Sequence, residues 1–249
     1  MTPGSDQLTV TVLGTSGTYP AVDTACSGYL LRTASTSVWL DCGTGTFANL
    51  QRHLSLTDLD GIVCTHSHPD HWLELPVALN ALRYGMRQPK AQLPLYWTAD
   101  TAEKFAAVNG GPPDPTFASH VIDASSTVRI GDIDFRFSRT DHPVETLAVR
   151  ADAGGRSIAY SSDTGNGWEL SSLGPDIDVA LVEATLDESE ADVVQHLTAR
   201  QAGSQAARAG VAGLVLIHLA PGSDPEARMA EANDAFDGPV AVASIDERY

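Results

Sequence analysis

Basic residues are scarce in this chain. Lys and Arg total 15 against 32 Asp and Glu in 249 residues, a formal net charge of −17. A protein that grips a nucleic acid along its backbone needs Lys and Arg to displace counterions, so an extended nucleic-acid footprint is not expected. Strong acidity favours solubility and says little about fold. Cysteine is nearly absent: Cys26, Cys42 and Cys64 are odd in number and lack zinc-knuckle spacing. That excludes a disulfide framework and suggests free thiols in a reducing, cytoplasmic setting. No apolar run reaches the ~20 residues needed to span a bilayer. Residues 1–7 are polar and carry no apolar leader core, so neither a membrane span nor a secretory signal is expected.

What is present is ordinary globular material: 43% hydrophobic and 19% charged residues. Without a linker or a strong internal repeat, residues 1–249 read as one domain. Strands are expected at 8–13, 28–31, 37–40, 61–65 and 93–98, with Gly14, Gly17, Gly43 and Gly45 marking turns. Apolar residues at helical spacing predict one helix over 73–84 and another over 101–108, followed by a breaker-rich loop at 109–115. Further strands are expected at 127–130, 133–139, 146–150, 157–161, 179–183, 213–218 and 240–244, and helices at 199–209 and 224–235. Two strand-rich halves, each with helices, imply an α/β (α+β) chain of two sheets packed face to face with helices outside.

The segment Thr65-His66-Ser67-His68-Pro69-Asp70-His71 concentrates three imidazoles and a carboxylate at the end of an apolar strand. His66 and His68 are two apart, so on extended backbone they point the same way. A turn at Pro69 brings Asp70 and His71 to a neighbouring position. Imidazole and carboxylate together suit zinc, manganese or iron. The competing reading is a polar loop that is merely histidine-rich. One such motif gives at most four ligands. His142, Asp163 and His218 supply more, each just past a strand, where functional groups gather on a rigid scaffold. Singly, such residues are more often structural or turn residues. Together with the first motif they make seven candidate ligands, enough for two divalent ions. His196, before a helix that Thr198 should cap, reads as a general acid or else as a capping or surface residue. His53 and His120 have no such context.

These residues resemble the HxHxDH…H…D…H series of the metallo-β-lactamase superfamily. Ser162-Asp163-Thr164, Glu183-Ala184-Thr185 and His196-Leu197-Thr198 look like the GDT, HEAT and HST segments of its ribonuclease Z branch. The resemblance implies an αββα sandwich of two mixed sheets with helices outside. Carried over residue by residue, it implies that His66, His68 and His142 hold one metal, that Asp70, His71 and His218 hold the second, and that Asp163 bridges. It further implies that His196 protonates a leaving oxygen. Asp70 would accept a proton from the attacking water, and Glu183 would orient His196 or else be an ordinary strand-end acid. Relatives of this branch are often dimers, so a homodimer is implied.

The sequence departs from the tRNA-cleaving enzymes of the branch. Their PxKxRN loop is Pro20-Ala21-Val22-Asp23-Thr24-Ala25-Cys26 here, without Lys, Arg or Asn. The 70 residues between His71 and His142 leave no basic arm, and Val182 stands where HEAT begins with histidine. Val12–Gly17 and Phe236–Val240 look like an actinobacterial group of cyclic-nucleotide phosphodiesterases. The cyclic-phosphate esterases of the phosphonate pathway usually carry a cysteine-rich zinc site that this chain lacks. The expectation is therefore a two-metal phosphodiesterase acting on a small phosphodiester, a 3′,5′-cyclic nucleotide, to give the 5′-nucleotide. The alternatives are RNA 3′-end processing, a lactonase, thioesterase or β-lactamase, and a non-catalytic metal- or partner-binding protein. None of the lactonase-type reactions needs a histidine like His196.

Overall fold

A computed structural model describes residues 7–85 and 92–249. Of the polar stretch 1–7, only Gln7 lies within the described residues. The first sheet runs β1 (Thr9–Gly14), β2 (Gly28–Arg32), β3 (Ser37–Leu40), β4 (Gly61–Cys64), β5 (Leu93–Trp97), β6 (Phe117–Val121), in that spatial order. The second holds β7 (Thr127–Ile130), β8 (Ile133–Arg139), β9 (Leu147–Ala153), β10 (Arg156–Tyr160), β11 (Val179–Glu183), β12 (Leu214–Ile217) and β13 (Val240–Val242) as neighbours in sequence order. Each sheet starts as an antiparallel meander and turns parallel, at β3–β4 and at β10–β11. Each half of the sequence thus builds its own sheet, as the spacing of apolar runs implied.

The helices are α1 (Thr46–Leu50), α2 (Pro69–Trp72), α3 (Leu75–Asn80), α4 (Ala99–Asn109), α5 (Ala199–Ala209) and α6 (Pro225–Asn233). Three apolar layers result. Between the sheets, Leu8, Val10, Tyr29 and Leu40 meet Phe135, Val149, Tyr160 and Ile217. On the outer face of the first sheet, Trp39, Ile62 and Trp97 pack with Phe47, Leu79 and Phe105 of the helices. On the outer face of the second, Val182 and Leu216 pack with Ala202, Ala206, Ala232 and Phe236. This is the αββα sandwich. Fully burying a Leu, Ile, Val or Phe is worth about 1.5–3 kcal/mol, so these layers hold the strand ends rigidly.

The helix expected over 73–84 starts two residues later: a turn at 73–74 separates it from α2, α3 begins at Leu75, and it runs on into a π-helical turn over Ala81–Gly85. Pro76 lies in the first turn of α3, where a missing N–H does no harm. The Glu74 carboxylate reaches away to accept from the backbone N–H groups of Gly45 (2.8 Å) and Phe47 (3.0 Å), anchoring α1. The structure also adds α1 and β6, which the sequence pattern did not mark.

Candidate metal centre

The carboxyl ends of strands from both sheets converge at one edge of the sandwich. β3 delivers Asp41, β4 delivers His66, His68, Asp70 and His71, and the turn after β8 delivers His142. β10 delivers Asp163, β11 delivers Glu183, and β12 delivers His218. The strands that run parallel, β3–β5 and β10–β12, all point their carboxyl ends at this edge, the end where α/β sheets gather ligands. Every candidate ligand read from the sequence is in the cluster. His66, His68, His142 and Asp163 each bring one donor atom within 4.8 Å of the others, as do Asp70, His71 and His218. Asp163, His196 and His218 form a third such group.

The two oxygens of Asp163 are divided. Oδ1 lies 3.2 Å from His71 Nε2 and 3.4 Å from His218 Nε2; Oδ2 lies 3.5 Å from His66 Nε2 and 3.9 Å from His142 Nε2. Asp70 Oδ2 is 3.3 Å from His218 Nε2 and accepts from the Thr18 N–H at 2.8 Å.

Neighbouring groups fix which ring nitrogen faces the centre. His71 Nδ1 is held by Asp41 at 2.8 Å, His218 Nδ1 by the Thr185 hydroxyl at 2.8 Å, and His142 Nδ1 by the Gln195 carbonyl at 3.2 Å. Such partners set the tautomer and leave Nε2 as the donor. Asp41 was not among the residues singled out in the sequence. Its carboxylate also accepts from the Thr65 N–H, the Thr65 hydroxyl and the Tyr160 phenol, each at 2.8 Å. The available signal was its strand-end place before Cys42-Gly43.

Backbone geometry is also unusual here. Asp41, Ser162 and His218 all have left-handed φ values, 54°, 52° and 56°. Such conformations cost on the order of 1 kcal/mol or more and cluster at functional sites. Gly17 and Gly43 permit close approach. A Cβ on Gly17 would stand 2.8 Å from His218 Nδ1, and one on Gly43 would stand 2.0 Å from the Asp70 carbonyl.

The donor set fits a divalent cation. His66 Nε2 and Asp163 Oδ1 are buried without a hydrogen-bond partner, a costly arrangement unless something else satisfies them. Two pairs of imidazole nitrogens face each other, His68 Nδ1 and His142 Nε2 at 3.0 Å and His71 Nε2 and His218 Nε2 at 3.3 Å. Tetrahedral zinc ligands at ~2.0–2.1 Å from the ion lie roughly 3.3 Å apart.

Burial and charge separate the imidazoles. Burial pushes His66 down to about 4, aided by the charge of His71, and burial also lowers His68 and His142. For His71 and His218 burial acts downward too, but the charge of Asp163 and the contact with Asp70 win and raise both. Burial alone would raise Asp163, yet His218, His71 and His66 hold it well below the usual carboxylate range.

His196 stands beside this cluster on the loop before α5, with its ring centroid 5.3 Å from that of His142 and 5.6 Å from that of His218. Its Nδ1 is 2.8 Å from Glu183 Oε1. Glu183 is fully buried and also accepts from the Thr164 N–H (2.7 Å), the Thr185 hydroxyl (2.6 Å) and the Leu197 N–H (3.2 Å). Burial disfavours the charged imidazole, but Glu183 outweighs it and carries His196 up to about 9. His53 is paired with Asp246 and His120 is stacked on Tyr96, both outside the cluster.

Residues 36–219 match the β-lactamase superfamily domain. An uncharacterized protein of Mycobacterium tuberculosis is 35% identical, covering 96% of this chain and 91% of its own. The ribonuclease Z of Kineococcus radiotolerans is 31% identical over 84% of this chain and 82% of its own. The crystal structure of the metallo-β-lactamase fold protein YhfI from Bacillus subtilis superposes with a TM-score of 0.90 at 25% identity, covering 98% and 99% of the two chains. The chain belongs to the β-lactamase superfamily and is a metal-dependent hydrolase of its ribonuclease Z-like branch.

Proposed function

We propose that this hydrolase is a phosphodiesterase that holds two divalent ions and opens 3′,5′-cyclic nucleotides to 5′-nucleotides. In this reading His66, His68 and His142 hold one ion, Asp70, His71 and His218 hold the other, and Asp163 bridges. Zinc suits the donor set best, with manganese or iron as alternatives. When bound, such a pair supplies Lewis acidity and neutralises phosphodiester charge.

The observation that carries the reading is the His196–Glu183 pair. Breaking a P–O bond to a ribose oxygen needs a proton at that oxygen, and a positioned imidazolium is suited to give it. Glu183 Oε1 takes the Nδ1–H, so Nε2–H is the proton free for delivery. Its four hydrogen bonds keep Glu183 from turning away, and the charge it holds keeps His196 protonated at neutral pH. Asp70, fixed by the Thr18 N–H, is the carboxylate placed to accept a proton from the attacking water. Lactone, thioester and β-lactam hydrolysis does not call for this imidazole.

The substrate side rests on charge. The chain carries −17, and its Pro20–Cys26 loop is devoid of basic residues. Between His71 and His142 the described residues form α3, β5, α4 and β6–β8 of the sandwich itself; residues 86–91 lie outside the described set. A small phosphodiester is therefore favoured over pre-tRNA. The similarity to ribonuclease Z proteins keeps RNA 3′-end cleavage as the second reading. The same proposal takes residues 1–249 as one domain, since the inter-sheet core draws on both halves. It places a homodimer in the cytoplasm, in keeping with three buried, unpaired thiols. No helix among the described residues is long and apolar enough to cross a membrane.

The test is a substrate panel on protein loaded with zinc or manganese: cyclic AMP, bis(p-nitrophenyl) phosphate, a lactone, a cephalosporin and a pre-tRNA. Turnover of the first two and neglect of the rest is expected. Preference for the lactone or for pre-tRNA would refute the proposal.

A further inference from the structure

Ser67 sits between His66 and His68 and is held on every side. It is buried, 1% exposed. Its carbonyl accepts from Trp72 Nε1 at 2.9 Å. Its hydroxyl donates to Asp100 Oδ2 in a short hydrogen bond and accepts from Lys104 Nζ at 2.7 Å, while Lys104 Nζ lies 3.0 Å from Asp100 Oδ2. The three groups close a triangle.

Asp100 and Lys104 are one turn apart on α4. Asp100 lies in the first turn, where a negative charge suits the helix dipole, and the helix start is pinned by Thr98, whose side chain accepts from the Thr101 N–H. Both charged side chains are about 40% exposed. An exposed pair at this spacing contributes only about 0.3–0.5 kcal/mol, so the ion pair alone explains little. Lysine is also rare here, at positions 90 and 104 only. What sets the pair apart is the buried hydroxyl it encloses, in the residue that joins two candidate ligands.

We infer that Asp100 and Lys104 are positioning residues that act through Ser67 to fix His66 and His68 toward their ion. The inference rests on the metal reading of the site. The two imidazoles point the same way because their residues are two apart on extended backbone, so rotation of the Ser67 peptide would swing both off target. Trp72 blocks that rotation at the carbonyl, and α4 blocks it at the side chain. Removing such a support from behind a ligand lowers metal affinity by about 10–100-fold.

The experiment titrates metal-free protein with cobalt(II), reading the visible absorption, and measures affinities by chelator competition. Wild type, S67A, K104M and K104R are compared, with the melting temperature of each metal-free protein as a folding control. S67A and K104M should bind the ion of the His66–His68–His142 group about 10–100-fold more weakly, and its spectrum should change. The ion at Asp70, His71 and His218 should stay within about threefold, melting should not move, and K104R should restore most of the affinity. Wild-type affinities and spectra in S67A and K104M would overturn the inference, as would K104R behaving like K104M. If wild type takes one ion only, the two-ion reading fails separately, and weakening of that ion in K104M still decides for or against the support. A wild type that takes no ion overturns both.

Discussion

Glu183→Gln changes one oxygen to nitrogen and keeps the shape. Each oxygen of Glu183 accepts from two donors: Thr164 N–H and His196 on Oε1, Thr185 hydroxyl and Leu197 N–H on Oε2. A glutamine amide must turn its NH2 toward one of these pairs, so two hydrogen bonds to a charged acceptor are lost. At about 1.5–2.5 kcal/mol each, the cost is about 3–5 kcal/mol, within a typical folding stability of about 5–15 kcal/mol. Part of that cost depends on pH. His196 keeps its proton to about 9 in the folded chain against 6.5 ordinarily. At 1.36 kcal/mol per pH unit, with some discount for the exposed part of the ring, that is worth about 2–3 kcal/mol. Because the folded value is the higher one, this contribution is complete below pH 6.5 and is lost as pH rises through 9. The assay is urea unfolding of metal-free wild type and E183Q at pH 6 and pH 10, with His196 followed by NMR. His71 and His218 are also raised, by Asp163 and Asp70, and E183Q keeps both carboxylates, so most of their contribution cancels in the difference. Wild type should lose about 2–3 kcal/mol more than E183Q between the two pH values. In the variant the upward pull of Glu183 is gone, so His196 should titrate well below 9, with only the charge of Asp163 still opposing burial. Equal pH dependence, or a variant His196 still titrating near 9, would show that Glu183 does not hold the His196 proton.

Asp163→Ala should abolish binding of both ions, because its two oxygens face the two groups, whereas His142→Ala should chiefly weaken one; elemental analysis after equilibrium dialysis separates these outcomes. His196→Ala should keep normal metal content and lose on the order of 10²–10⁴-fold in turnover of a cyclic nucleotide. That loss should shrink for a p-nitrophenyl ester, whose leaving oxygen needs little protonation, and equal losses on both substrates would argue for a binding role. Gly17→Ala places a methyl 2.8 Å from His218 Nδ1. It should cost about 1–3 kcal/mol of stability as overpacking does and weaken the ion at His218, both measurable by thermal melts with and without metal.

Much of this architecture was legible in the chain because each half follows local rules. Apolar runs ended by chemistry-bearing residues mark the strands and the edge where they converge, and the candidate ligand positions follow from those strand ends. The helix expected over 73–84 begins only at Leu75, because Pro76 suits a first turn and not a helix interior. α1 is five residues long and is held by Glu74 from far along the chain, so no local pattern announces it. β6 lies at a sheet edge with mostly exposed residues and little alternation. Asp41 was missed for a different reason. Its partners Thr65, His71 and Tyr160 come from other strand ends, and only the packing of both sheets brings them to one carboxylate. Glu183 had two readings in the sequence, and its contact with His196 depends on the same packing.

The most direct measurement is ³¹P NMR of 3′,5′-cyclic AMP incubated with metal-loaded protein. Saturable conversion to 5′-AMP as the sole product, abolished in Asp163→Ala, is the expected result. No turnover in protein shown to carry its metal, or accumulation of the 3′-nucleotide, would contradict it.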